Sequence, residues 1–289
     1  MSSQVPLYTT LIDTNKLLEH LDDPAWLVVD CRFDLKDTSR SRREYLQAHI
    51  PGAAYADLDV DLSSPKIPGL TGRHPLPSIE DTAGFFSRLG IASGVQIVAY
   101  DDAGGALAAG RLWWILRWLG HQSVAVLDGG WQRWLLEVGE TRTGHEERSP
   151  AHFLPMPHPD LLVTTGQVED LRHDPTYRLL DARSSERFHG RNETIDPIAG
   201  HIPGAISAPY AANLTPEGLF KPVDALRQHY ETLLAEVLPV RAVVYCGSGV
   251  SAIHSILAME HAGLYGSRLY AGSWSEWIAN PSRPVAVGK

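Results

Sequence analysis

The chain has 289 residues, 44% of them hydrophobic and 20% charged. That balance describes a folded protein long enough for two ordinary domains, and it excludes a disordered chain. A net charge of −9 argues against a nucleic-acid partner but leaves small anions open, because a local pocket can oppose the global sign.

The opening Met1-Ser2-Ser3-Gln4-Val5-Pro6 lacks the basic start and apolar centre of a secretory signal, and no apolar run approaches a membrane span. No membrane partner and a cytoplasmic, reducing compartment are therefore expected. Helical periodicity follows at 14–21, a short apolar strand at 27–30, and further helices at 80–89, 106–119 and 131–138 around strands at 97–100 and 124–127. Leu112, Ile115, Leu116 and Leu119 give the third of these helices an apolar stripe that Trp113, Trp114 and Trp118 widen, which reads as core. Residues 141–160 carry Pro150, Pro155, Pro157 and Pro159 among charged and histidine residues and read as a semi-rigid linker. His145, His152 and His158 within it have no fixed ligand spacing, so no metal site is expected. Strands recur at 178–181, 242–245 and 268–270.

The order of the first half repeats in the second. Val28-Val29-Asp30-Cys31-Arg32 is answered by Leu179-Leu180-Asp181-Ala182-Arg183, and His49-Ile50-Pro51-Gly52-Ala53 by His201-Ile202-Pro203-Gly204-Ala205. Ile97-Val98-Ala99-Tyr100-Asp101 is answered by Val243-Val244-Tyr245-Cys246, and Gly129-Gly130-Trp131 by Gly272-Ser273-Trp274. Matched blocks in one order mean a duplicated domain. The expected architecture is two α/β domains, at 1–140 and 161–289, each a mainly parallel sheet flanked by helices. His49 and His201 occur in both copies, only one of which has the cysteine-bearing loop, and so read as structural. Arg183 reads as scaffold paired with Asp181, like Arg32 in the first copy.

Of the two cysteines, Cys31 ends an apolar strand with no glycine-rich loop after it and reads as packing. Cys246 opens Cys246-Gly247-Ser248-Gly249-Val250-Ser251-Ala252, a strand–loop–helix transition of small residues. Loops of this kind form a bowl of backbone N–H groups at a helix N-terminus, where a cysteine is favoured as the thiolate. The aligned loop of the first copy begins Asp101-Asp102, and an aspartate is no sulfur nucleophile. A phosphatase would need an arginine six residues after the cysteine, where Ala252 stands. A cysteine protease would need an oriented histidine base near Cys246, and none is singled out. A non-catalytic tandem module that binds a protein partner is the rival from another class. Retention of the whole cysteine loop in one copy argues against it.

These blocks together resemble the tandem-domain rhodanese-type sulfurtransferases over nearly the whole chain. The resemblance implies two rhodanese-like domains, an inactive N-terminal copy, a catalytic C-terminal copy and an active site between them. It implies a persulfide on Cys246, a small-molecule sulfur donor, and a thiol, thioredoxin or cyanide as acceptor, with no cofactor. The loop resembles the mercaptopyruvate-type Cys-Gly-Ser-Gly-Val-Thr, with Ser251 in place of threonine and a hydroxyl kept for the helix start; thiosulfate is the alternative donor. By the same resemblance Ser248, His74 and Asp61 form a proton relay. Arg187 binds the donor carboxylate, and Gly247, Gly249, Val250 and Ser251 line the loop. The second arginine common before the His-Ile-Pro-Gly block is missing from Glu193-Thr194-Ile195-Asp196-Pro197, and Arg191 is the nearest substitute.

Overall fold

β-branched and aromatic runs without interior polar residues make strands that are buried on both faces, and such strands dominate both halves of the chain. The computed structural model describes residues 7–288, so the opening Met1 to Pro6 lies outside the described residues. The described chain divides into two compact units. The first holds the chain up to Leu62 together with Ser78–Pro157. The second holds Ser63–Pro77 and His158 onward.

In the first unit β1 (Leu11–Ile12), α1 (Thr14–Leu18), β2 (Trp26–Asp30), α2 (Arg40–Gln47), β3 (Ala54–Tyr55), α3 (Ile79–Arg88), β4 (Gln96–Tyr100), α4 (Ala108–Trp118), β5 (Val124–Leu127) and α5 (Gly130–Glu137) follow in order. The sheet runs β1-β5-β4-β2-β3, every pair parallel. In the second, α6 (Thr165–Leu171), β6 (Arg178–Asp181), α7 (Ser185–Phe188), β7 (Ile206–Ser207), α8 (Val223–Leu234), β8 (Ala242–Tyr245), α9 (Ala252–His261), β9 (Arg268–Leu269) and α10 (Ser273–Trp277) build the parallel order β7-β6-β8-β9. A parallel bridge from Leu162 to Leu269 extends that sheet on the side where β1 extends the first. The long strands fall where periodicity places them. The two-residue β9 also falls within the expected 268–270, whereas β1, β3, β7 and α2 carry too little pattern to be read in advance.

The repeated blocks are the shared frame. Asp30 takes a forked bond from Arg32 (Nε 3.0 Å, Nη2 2.6 Å to Oδ2) and the Tyr100 hydroxyl at 2.7 Å. Tyr100 in turn accepts the Ile50 amide, and the Arg32 guanidinium lies 4.3 Å from the Trp131 ring centre. In the second unit Arg183 forks onto Asp181 in the same way and lies 4.7 Å from the Trp274 ring, while Tyr245 accepts the Ile202 amide. Both ion pairs are buried, so removing one partner would strand a charge at a cost of about 3–5 kcal/mol. The His-Ile-Pro-Gly histidines serve this frame, as Nδ1 of His49 meets the Tyr45 carbonyl and Nδ1 of His201 that of Phe188.

Two stretches are assigned differently from the sequence reading. Residues 141–157, expected to link the copies, are laid along the first unit. Arg142 pairs with His49 in an antiparallel bridge, Arg148 donates to the Trp26 carbonyl, and Phe153 is buried against Phe86. Residues 63–77, by contrast, pack with the second unit although the sequence places them in the first half. No helix among the described residues is long and apolar enough to cross a membrane.

Candidate active site

β8 delivers its last residue, Tyr245, into the frame just described, and the chain leaves the sheet at Cys246. The start of α10 clamps this exit. The Cys246 amide donates to Ser273 Oγ at 3.1 Å, and the Cys246 and Gly247 carbonyls accept the Trp274 and Ser275 amides at 3.0 and 2.9 Å. Ser273 holds a left-handed backbone (φ +53°) where the first unit has Gly130 (φ +55°), a strain that its hydroxyl offsets by bonding both Cys246 N and Tyr270 O. Gly249 (φ +76°) is the turn itself, and a Cβ there would lie 2.2 Å from the Ala271 carbonyl oxygen. Cys246 is 1% exposed. The amides of Gly247, Ser248, Val250, Ser251 and Ala252 have no acceptor among the described residues.

Two sets of side chains reach this loop from within the same unit. The segment 63–77 is fastened by the Arg73 amide donating to Ser275 Oγ at 3.0 Å, and it sets His74 Nδ1 2.8 Å from Ser248 Oγ. The donor in that hydrogen bond depends on the imidazole tautomer; both side chains are buried. The structure thus brings Ser248 and His74 together. Asp61 belongs to the first unit, where its carboxylate accepts the Asp57 amide at 2.9 Å; burial and the Asp57 charge lift it above the ordinary aspartate range.

The second set is basic. A Cβ on Gly247 would lie 2.6 Å from Arg73 Nη2 and 3.6 Å from both terminal nitrogens of Arg187, so two guanidiniums flank the residue after the cysteine and a side chain there would displace the end of Arg73. Arg187 donates through Nε to both Glu193 oxygens (3.1 and 2.9 Å) and through Nη2 to Asp196 at 2.9 Å. Arg73 reaches the other oxygen of Asp196 through Nη1. Burial opposes the charge on Glu193, but Arg187 and the Asp196 and Ile195 amides hold its carboxyl below the usual range. At Asp196 burial wins and lifts the carboxyl, against the pull of Arg73 and Arg187.

Three site residues escape the sequence reading. Arg191 is exposed, and the second guanidinium beside the loop is Arg73, which comes from a segment far off in sequence. Asp196 is marked by no motif, and Ser273 enters the sequence reading only as the middle of the repeated Gly-x-Trp block, with no role at the site. Ser251 also differs from expectation: its backbone is already helical (φ −69°, ψ −15°) and its hydroxyl makes no capping bond.

In the first unit the same strand exit is occupied by Asp101. Its buried carboxylate accepts the amides of Ala103 and Gly105 on Oδ1 (2.9 and 2.8 Å) and of Leu107 and Ala109 on Oδ2 (3.1 and 3.3 Å). The first loop is an anion bowl filled by its own side chain. Cys31 beside it is fully buried, and burial followed by the charges of Asp30, Asp101 and Asp61 pushes its thiol well above the usual range, as suits a packing residue.

Comparison with known proteins agrees with this geometry. The chain is 44% identical over 279 residues to a probable 3-mercaptopyruvate sulfurtransferase of Pseudomonas aeruginosa, covering 96% of this chain and 98% of that one. It is 32% identical to the thiosulfate sulfurtransferase of Bos taurus, over 98% and 97% of the two chains. The solved 3-mercaptopyruvate sulfurtransferase of Leishmania major superposes with a TM-score of 0.84 at 31% identity, covering 95% of this chain and 75% of that one. The rhodanese-like domain model matches residues 13–137 and again 164–280, and the chain belongs to that family, carrying its domain in two copies.

Proposed function

We propose that the protein is a sulfurtransferase that takes a sulfur atom from 3-mercaptopyruvate and passes it, through a persulfide on Cys246, to a thiophilic acceptor. The observation that carries this reading is the convergence on one loop of a cysteine, a serine–histidine pair and two guanidiniums. In the first half-reaction the Cys246 sulfur attacks the donor sulfur. An S–S bond forms, the carbon–sulfur bond breaks, and the electron pair left on carbon takes up the proton that the donor thiol gives up. The products are a Cys246 persulfide anion and pyruvate, with charge conserved. Ser248 and His74 are suited to move that proton, since each is within hydrogen-bond reach of the other beside the cysteine. In the first unit, Asp101 has three loop amides and one from the start of α4 on its carboxylate, which supports the view that this kind of loop holds an anion. In the second half-reaction the acceptor, a small thiol, thioredoxin or cyanide, attacks the outer sulfur and frees the Cys246 thiolate.

Arg73 through Nη2 and Arg187 through Nη1 offer the donor carboxylate guanidinium donors beside Gly247, with Arg73 in the part for which sequence offered only Arg191. Asp61 lies in the other unit, so the kinetics of Asp61→Asn decide whether it has a share in the relay. The first domain has Asp101 at the strand exit where the second has Cys246, so the second carries the travelling sulfur. A thiol acceptor suits a reducing, cytoplasmic setting. The test is steady-state turnover with mercaptopyruvate and with thiosulfate, each against cyanide and a dithiol. Parallel double-reciprocal lines with mercaptopyruvate as the better donor are expected. Turnover that survives Cys246→Ser, or the absence of turnover with either donor, overturns the reading.

A further inference from the structure

Asp196 is a carboxylate that already spans the two guanidiniums of the loop. It is 3% exposed, with Oδ1 on Arg73 and Oδ2 on Arg187. Glu193, 2% exposed, takes the Nε edge of Arg187, and its second charge partner, Arg183, is committed to Asp181. The tally at the loop is therefore two guanidiniums against two carboxylates, and the adjoining Arg183–Asp181 pair is itself neutral. Among the described residues the Nη2 of Arg73, nearest Gly247, donates to no carboxylate, and its buried Nε has no partner. The basic edge facing the loop thus keeps donors for an incoming anion, while its net charge is cancelled from behind.

A balanced site of this kind meets a monoanion and a dianion differently. Mercaptopyruvate brings one carboxylate charge and a neutral thiol, which the free edges of the guanidiniums accommodate. Thiosulfate brings two charges into a place with no net positive charge to receive the second. We propose that Asp196 is a specificity-determining residue that sets the site's preference for a monoanionic carboxylate donor over a dianionic one by neutralising the Arg73–Arg187 pair. The inference rests on the sulfurtransferase reading and adds to it the charge class of the donor.

The test compares kcat/KM for the two donors in the full-length protein, with the charge state of Asp196 varied. Asp196→Asn removes one negative charge beside the anion, and is expected to raise the thiosulfate-to-mercaptopyruvate ratio by about tenfold. Asp196→Glu keeps the charge and should return the ratio toward that of the unaltered protein. Arg73→Gln shifts the balance the other way, lowering the ratio and weakening both donors, and it keeps the idea testable should the aspartate variants fold poorly. A merely structural Asp196 would lower both donors together and leave the ratio where it was, which overturns the inference. An unaltered protein that forms the Cys246 persulfide while Asp196→Asn leaves the ratio unchanged refutes the inference alone. Failure of the unaltered protein to load sulfur from either donor removes the reading beneath it, and the inference falls with it.

Discussion

After β4 the chain turns through Asp101, and after β8 it turns through Cys246; both strands end on a tyrosine held by the same aspartate–arginine frame. The first turn spends its amides on its own carboxylate. The second ends on a small, uncharged loop with several amides that meet no acceptor among the described residues, and arginines from two other segments stand beside it. One backbone design thus forms an internal lock in one copy and a loop without an acidic side chain in the other, and the two differ in the residue at the strand end. The frame that holds both loops is insensitive to that switch because Arg32 and Arg183, Tyr100 and Tyr245, and Trp131 and Trp274 do the same work on each side.

Substitutions at the two strand ends break the comparison most sharply. Cys246→Ser is expected to lower sulfur transfer by about a thousandfold or more while leaving thermal unfolding nearly unchanged, because Oγ fits where Sγ was. Equal loss of activity and stability would mean that Cys246 is packing. His74→Gln tests what the second loop has acquired. Turnover of mercaptopyruvate should fall by about a hundredfold, whereas thiosulfate, which has no thiol proton to move, should be affected far less. Equal losses with both donors would assign His74 to the scaffold instead.

The smallest effect is expected in the first loop, and it is one of stability. Asp101→Asn replaces one acceptor oxygen by an NH2 group facing two amide donors, and should cost about 1–3 kcal/mol in denaturant unfolding. Burial pushes the Asp101 carboxyl up to about 6, against the opposing pull of the Ala103, Gly105 and Leu107 amides. An unfolded aspartate titrates near about 3.9, so between these values the folded chain binds more protons than the unfolded one. The stability contributed by this group is therefore full below about pH 4, declines as pH rises to about 6, and is constant above. Asp101→Asn should abolish that slope, and an unchanged slope would show that the carboxyl titrates normally.

Much of this was readable in the chain because the repeat displays it twice. Asp30-Cys31-Arg32 and Asp181-Ala182-Arg183, or the paired His-Ile-Pro-Gly turns, stand at equal places in both halves, so a structural role is separable from one that only the Cys246 copy needs. The buried strands were legible because their apolar runs are continuous, whereas β1, β3 and β7 are too short to carry a pattern. Arg73 and Asp196 were missed for a different reason. Each is an ordinary charged residue in a loop, and what marks it is a partner 123 positions away, brought near only when 63–77 folds with the second unit. Ser273 was hidden because a serine in a left-handed turn looks like any substitution of a glycine until its two hydrogen bonds are seen.

The central claim is that Cys246, and no other atom of the chain, carries the travelling sulfur. Its most direct test is the intact mass of the protein after brief exposure to mercaptopyruvate without acceptor, followed by peptide mapping. The account predicts a gain of one sulfur atom per chain, confined to the peptide holding Cys246, reversed by cyanide and accompanied by one equivalent of pyruvate. Sulfur found on Cys31, or pyruvate released with no sulfur on the protein, would contradict it.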